Sequence, residues 1–378
     1  MEQTHHRSLA ASILSLSLLT VMAGAAVAPA LGAIQTHFAG ADPLLVQLII
    51  SVPALFIFLT SFLFPALCRR FDSRTLVLAG LILYTVGGCV AGCFSQLVPL
   101  LCARALVGVG VGILMPLSTG LLTYHFPPSE LERLLGRSSA MNQLGGAVAT
   151  LLAGLLAQVS WRASFLVYAL GALSFVLCLV CLPKARIARP RQQGPRRALA
   201  PEDRWCIAGI FLLMLTFFLY PSNFSIVCDR QGVLSQAAVA VVMAGMDLMA
   251  FVGGLSFARL YGRLGDRLRW LAGALFLAGY VLLCCPGGWV GCIVGSLCIG
   301  FANGEGIPYL LSCSSRRAGR DAAATVLPLL SAGLYLGQFL APLLLSAVRA
   351  AGAGGVLLPY QLAAVTAVLL LLVSARAR

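Results

Sequence analysis

What this sequence most lacks is charge. Only 10% of its 378 residues are Asp, Glu, Lys or Arg, where a soluble chain carries about 25%. Acids are the scarcer sign, 12 against 26 basic residues, and 60% of the chain is hydrophobic. Such a composition excludes an ordinary soluble enzyme and reads as a membrane protein. Catalytic equipment is missing too. The sequence shows no His-rich cluster, paired carboxylates, nucleophile constellation or phosphate-binding loop, and no polar domain long enough for a sensor output. No catalytic residue, metal or cofactor is expected. The thirteen cysteines fall almost entirely inside apolar runs. Cys178 and Cys181 form a C-x-x-C within SFVLCLVCLP, and Cys284 and Cys285 are adjacent. A redox motif needs a polar strand-to-helix setting, and no spacing suggests zinc or a disulfide framework, so these thiols read as apolar packing.

The net charge of +14 would ordinarily suggest nucleic acid. Here the basic residues sit in short loops between apolar runs, where they meet anionic lipid and set orientation. No nucleic-acid partner is expected.

What is present is a series of apolar runs at about 9–33, 44–67, 75–97, 98–122, 139–159 and 163–183, then at about 205–227, 235–257, 270–286, 288–312, 322–347 and 354–374. About 20 residues cross about 30 Å of hydrocarbon as a helix. Barrel strands would be shorter and would alternate in polarity. The ninth run is short by this measure. The first contains Ala26-Val27-Ala28, which resembles a signal-peptidase site, but its apolar stretch is too long for a signal peptide and reads as a retained helix. Between the two sets of six lies Lys184–Arg204, KARIARPRQQGPRRALAPEDR, with seven basic residues and Pro190, Pro195 and Pro201. Such a segment cannot cross hydrocarbon. The expected domains are 1–183, a basic linker at 184–204, and 205–378.

With a cytoplasmic N-terminus and twelve spans, every basic residue except Arg104, Arg162, Arg230 and Arg349 falls on the cytoplasmic side. The positive-inside bias thus supports a multi-pass protein of the cell inner (plasma) membrane with both termini cytoplasmic. In the loop FPPSELERLLGR, Ser129 and Glu132 match a capping box after two prolines, which predicts a short surface helix. The halves also repeat. After the second run the chain reads Ala66-Leu67-Cys68-Arg69-Arg70-Phe71-Asp72-Ser73-Arg74, and after the eighth, Arg259-Leu260-Tyr261-Gly262-Arg263-Leu264-Gly265-Asp266-Arg267. Leu67, Arg70 and Arg74 match Leu260, Arg263 and Arg267 in spacing. Internal repeats of this kind mark two-fold transporters, with the substrate site between the repeats.

These residues resemble the loop signature of the major facilitator superfamily, approximately G-x-L-x-D-R-x-G-R-R. The chain keeps Leu67, Arg70 and Arg74, and later Leu260, Arg263, Gly265 and Arg267, but has Pro65 and Ala258 for the first glycine and Arg69 and Gly262 for the aspartate. Arg104 with Gly108, Gly110 and Gly112 resembles the family's R-x-x-x-G-x-G element. Gly145 to Gly154 resembles its drug-exporter motif with Ala149-Thr150 in place of Gly-Pro, and Trp161-Arg162-Ala163-Ser164-Phe165 resembles W-R-x-x-F. The resemblance covers both halves. It implies an all-α membrane protein of twelve transmembrane helices in two pseudo-symmetric six-helix bundles, similar to twelve-span bacterial exporters of drugs or metabolites in exchange for protons.

Two acids fall inside spans, Asp247 in the eighth and Glu305 in the tenth. An ionisable group at a helix centre costs at least about 2.5–3.5 kcal/mol, so it needs a partner or a water-filled cavity. The resemblance places helix 10 on the central cavity and links Arg104 to proton coupling. Glu305, Asp247 and Arg104 are therefore the expected proton-coupling groups. Arg104 is the only basic residue within a span and must face the cavity or pair with a backbone carbonyl or an acid. Asn303, Tyr220, Asn223, Gln143, Tyr335, Gln338 and Met246 are candidate substrate contacts, each of which a packing role would also explain. Met246 belongs to a Met243–Met246–Met249 stripe suited to varied apolar ligands. Gly108, Gly110, Gly112, Gly145 and Gly154 are expected to bring helices together, with Arg70, Arg74, Arg263, Gly265 and Arg267 in the conformational loops. The reading is a secondary transporter exporting a small amphipathic or apolar compound against protons, expected as a monomer. Proton-coupled uptake of a nutrient or metabolite is the alternative, and a membrane enzyme or sensor a distant one.

Overall fold

The computed structural model describes residues 2–184, 201–285 and 288–376, so the linker at 185–200 lies outside the described residues. Among the described residues every regular element is helical. The chain divides into two compact units, Met1–Pro190 and Arg191–Arg378.

In the N-terminal unit, α1 (Glu2–Ala25) ends where a continuous helix was expected. Pro29 is the cause. It has no N–H to give the carbonyl of Ala25, and its ring crowds that turn. A single 3-10 turn (Ala28–Ala30) and α2 (Leu31–His37) complete the first span. Then come α3 (Pro43–Arg70), α4 (Ser73–Ala91), α5 (Leu97–His125), α6 (Pro128–Ala157) and α7 (Leu170–Cys181), the last preceded by a 3-10 segment, Ala163–Ala169. α5 packs against α3 and α4, and α1 against α6. The expected short surface helix does not form as a separate element. Pro127 takes the N-cap position without a side-chain cap, Pro128 opens the helix, and α6 runs unbroken into the span. Ser129 therefore lies inside the first turn, where it cannot act as the cap.

The C-terminal unit repeats the plan. α8 (Pro201–Phe218) breaks at Pro221, and α9 (Phe224–Gln231) completes the seventh span. α10 (Gln236–Leu264) leads through a 3-10 segment (Gly265–Trp270) into α11 (Leu271–Cys284). Gly265 has a φ of 54°, a left-handed value that side chains with a Cβ avoid. α11 alone is too short to cross. Its 14 residues rise about 21 Å, and the six 3-10 residues add about 12 Å.

α12 is Gly288–Ala350, with Pro308, Pro328 and Pro342 inside it, and α13 is Leu358–Arg376. α12 is nevertheless two limbs. A Cβ added at Gly209 would meet Leu310 at 3.1 Å, and one added at Gly333 would meet Ile207 at 3.2 Å. Positions 310 and 333 thus reach the same turn of α8, although a straight helix would hold them about 35 Å apart. The contacts also run in opposite senses. Gly306 faces Leu213 before Leu310 reaches Gly209, whereas Gly333 faces Ile207 before Gly337 reaches Phe211. The limbs are antiparallel and carry the tenth and eleventh spans.

Among the described residues ten helical stretches are long and apolar enough to cross a membrane. One of them, Gln236–Cys284, holds two helices. With these taken separately and α8 added, the pattern is that of twelve spans in two six-helix bundles.

Candidate functional site

Among the described residues, Arg104 and Glu305 are the two side chains of the Asp, Glu, Lys and Arg set that are 0% exposed. Their surroundings differ in kind. Around Arg104 the prolines prepare acceptors. Ile49 would normally give its carbonyl to the N–H of residue 53, but that residue is Pro53, inside α3. Arg104 Nε donates to that freed carbonyl at 2.8 Å. Ala23 lies in the last turn of α1, where carbonyls lose their intrahelical partner. Arg104 Nη2 donates to it at 2.6 Å, and Tyr168 Oη donates to it at 2.7 Å. Arg104 Nη1 donates to Tyr168 Oη, and its guanidinium carbon lies 5.3 Å from that ring's centre. Of the partners expected from sequence, a backbone carbonyl or an acid, the structure shows carbonyls, and it adds the Tyr168 phenol. A guanidinium held so tightly by α1, α3 and Tyr168 can brace the bundle. The prolines at 29 and 53 were the signal in the sequence that could have located its partners.

Glu305 has no such support. Among the described residues neither carboxylate oxygen has a hydrogen-bond partner. Its helix wall is set by glycines. A Cβ on Gly300 would strike the carbonyl of Met246, and one on Gly304 the carbonyl of Ala250. Gly253 of α10 would meet Phe301 O at 2.7 Å and Glu305 N at 3.2 Å. A Cβ on Gly279 of α11 would meet Cys298 Cβ at 3.3 Å. Glu305 follows Phe301 by four residues and Cys298 by seven, so it shares their stripe, where α10 and α11 converge on α12. Asn303 also has an amide oxygen without a partner. At about 100° per residue it stands about 200° round the helix from Glu305, so the two do not share a face.

The other candidates are scattered. Tyr220 Oη and Ser296 Oγ are 2.7 Å apart, and the Tyr220 ring stacks on Phe224 at 4.6 Å. Asn223 Nδ2 donates to Leu219 O at 3.0 Å, spanning the break in the seventh span. Gln338 Nε2 lies 3.5 Å from Met214 Sδ. Met246 and Tyr335 are buried, while Asp247 and Gln143 are partly buried. Gly108 abuts Pro53 O, 2.5 Å from where its Cβ would stand. Gly110 abuts Gly80 O at 2.7 Å, Gly112 abuts Thr60 at 2.7 Å, and Gly145 abuts Leu18 O. In the loop after α3, Arg74 Nη2 donates to Leu179 O, the Arg70 guanidinium lies 5.9 Å from the Phe71 ring centre, and Asp72 caps α4 by accepting from Thr75 N at 3.0 Å. Hydrogen bonds from the Thr75 side chain, and then its backbone, hold the Asp72 carboxyl below its ordinary range. In the matching loop Arg263 ends α10, Gly265 makes the turn and Arg267 lies in the 3-10 segment. Sequence reasoning missed Ser296, Tyr280 and the orphaned Ser51 Oγ and Tyr84 Oη.

The chain matches the Major Facilitator Superfamily over residues 13–342. It belongs to that superfamily. It is 30% identical over 185 residues to the cephamycin export protein CmcT of Amycolatopsis lactamdurans, covering 47% of this chain and 35% of that protein. It is 25% identical over 223 residues to multidrug resistance protein 1 of Bacillus subtilis, covering 57% and 55%. The alignments thus span between about a third and just over half of these relatives. In fold it resembles the nucleoside transporter NupG, with a TM-score of 0.75 at 13% identity over 98% of each chain. This superfamily member is an integral membrane protein.

Proposed function

We propose that the chain is a secondary active transporter that exports small amphipathic or apolar compounds in exchange for protons, by alternating access. The observation that carries this is Glu305, a carboxyl enclosed on a helix wall with neither oxygen hydrogen-bonded among the described residues. Such a group changes its proton occupancy when water gains or loses access to it, and coupling to a proton gradient requires that. Asp247 is the second candidate for this work. Asn303, with its amide oxygen uncommitted, leads the candidate substrate contacts, ahead of Tyr220, Asn223, Gln143, Tyr335, Gln338 and Met246. We assign Arg104 to positioning, because backbone carbonyls and Tyr168 occupy it. Export is favoured over uptake by the relatives, whose names are those of an antibiotic exporter and a multidrug resistance protein. The positive-inside bias supports cytoplasmic termini, a cytoplasmic linker and an inner-membrane location.

The test is efflux of a panel of fluorescent amphipathic dyes from proteoliposomes under an imposed pH gradient. The wild-type protein should move at least one dye in a gradient-dependent way. Glu305→Gln keeps size and polarity but cannot titrate. It should reduce gradient-driven flux to background while dye binding, read by thermal shift, persists. Unchanged flux and pH dependence in Glu305→Gln would remove the residue from coupling.

A further inference from the structure

The C-terminal unit holds two adjacent cysteines that the transport reading does not use. Cys284 ends α11, and Cys285 follows it as the cap residue, with φ −78° and ψ 149°. Cys285 N donates to Val281 O at 3.1 Å and to Leu282 O at 3.3 Å, which ties it to the last helical turn. The first turns of α12 pack against this end. A Cβ added at Gly291 would meet Leu282 O at 3.1 Å, and one added at Gly295 would meet Leu283 Cγ at 3.0 Å. Beside this contact lies a cavity of about 430 Å³, bordered by Cys284, Cys285 and, on α12, Cys292. Val233 and Leu357 add apolar wall. Cys285 is exposed, and Cys284 and Cys292 are partly buried. Among the described residues no group of three or more His, Cys, Asp or Glu is placed to hold a metal ion, so the donor set offered here is a pair.

We propose that Cys284 and Cys285 form a dithiol site for trivalent organoarsenicals, whose soft arsenic atom bonds both sulfurs. Adjacency in the chain favours this ligand over a disulfide. Neighbouring Cα atoms stand about 3.8 Å apart, short of the about 4.4–6.8 Å at which ordinary disulfides form, so a direct sulfur–sulfur bond here would be strained. A third atom between the sulfurs enlarges the ring and lifts that constraint. Thiolates select soft centres, and the short tether makes capture by the second sulfur intramolecular, which raises its effective concentration. The steps balance without an oxidant. The exposed Cys285 thiol adds across the arsenic–oxygen bond of an arylarsenoxide, sulfur to arsenic and proton to oxygen, leaving an arsenic-bound hydroxyl. The Cys284 thiol then displaces that hydroxyl, and its proton leaves with the oxygen as water. Arsenic stays trivalent throughout. The aryl group occupies the cavity beside Val233 and Leu357.

The experiment adds an equimolar amount of phenylarsine oxide to the purified full-length protein, reads the intact mass, then unfolds the protein in excess maleimide and maps the unlabelled cysteines. The wild-type chain should gain one phenylarsenic group, the reagent less one water, and two of its thirteen cysteines should escape maleimide. Those two should be Cys284 and Cys285. Dimercaptopropanol should reverse the adduct, and glutathione, a monothiol, should not. Cys284→Ser and Cys285→Ser should each lose the glutathione-resistant adduct, while Cys292→Ser should keep it. The proposal is overturned if the protected pair in the wild type is Cys178 with Cys181 or Cys89 with Cys93, if Cys292 takes the place of either partner, if glutathione strips the arsenical as readily from the wild type as from the variants, or if no adduct forms.

Discussion

The same structural event occurs in each unit and is resolved differently. A proline breaks the first helix, at Pro29 and at Pro221, and leaves a carbonyl near the break without its helical partner. In the N-terminal unit that carbonyl is Ala23, which accepts from Arg104 and Tyr168. In the C-terminal unit it is Thr216, which accepts from Tyr280 Oη at 2.6 Å. The glycine contacts repeat as well. Gly108 and Gly112 admit α3 to α5, and Gly300 and Gly304 admit α10 to α12. Each of these pairs lies 192 or 193 residues apart. In that register Arg104 corresponds to Ser296, and Glu305 to Ile113. The scaffold is duplicated, but the ionisable groups are not. The N-terminal unit buries a cation that three acceptors satisfy, and the C-terminal unit buries an acid whose oxygens accept no hydrogen bond among the described residues. Under the proposed function, the braced half would do structural work and the half with the buried acid would do the coupling.

Exchanging the residues across the register breaks the comparison most strongly at Arg104. Arg104→Ser installs the residue of the other unit and orphans the carbonyl freed by Pro53. It also removes the guanidinium from Tyr168. At about 1–3 kcal/mol for each buried group left unsatisfied, a marked loss of thermal stability is expected, read as a fall in the midpoint of purified protein. Ser296→Ala at the matching position removes only the hydroxyl that meets Tyr220 and should cost less. Next in size is Gly300→Ala. Its new methyl would collide with Met246 O, forcing α10 and α12 apart at about 1–3 kcal/mol. A neutral result in a thermal-shift measurement would show that the glycine face is not a tight contact.

The smallest effect lies in the repeated loops, which share their arginine spacing but not their local structure. Asp72 caps α4, whereas the matching segment turns through Gly265. Asp72→Ala should cost about 1 kcal/mol or less of helix-end stability, since the cap is exposed. The Asp72 carboxyl is held below its ordinary value by Thr75. Its capping contribution is therefore fully present above the usual aspartate range and is lost as pH falls through the lowered value. Amide exchange at Thr75 should accelerate in acid in the wild type and be fast at all pH values in the variant.

Much of the fold was legible because lipid leaves few choices. Apolar runs of crossing length, a basic proline-rich interruption and repeated loop arginines specify two helical bundles. Prolines 29 and 221 spoke less clearly, since their effect depends on which carbonyl they release and what reaches it. Glu305 was legible as an anomaly, a charge where charge is costly. Its lack of bonded partners was not, because that is a property of three helices together. The surface-helix expectation erred because the Ser129–Glu132 spacing is neutral about where a helix begins, while Pro128 is well suited to the first helical position.

The 3-10 segment before α11 has a consequence for bilayer thickness. Six residues rise about 12 Å as a 3-10 helix and about 9 Å as an α-helix, so interconversion changes the ninth span by about 3 Å. Biological membranes differ in hydrocarbon thickness by a similar few ångströms. A rigid α-helix meets such a difference by tilting, which disturbs its packing along the whole length. The ninth span can meet it by rewinding one end, leaving Phe276 and Tyr280 seated where they are.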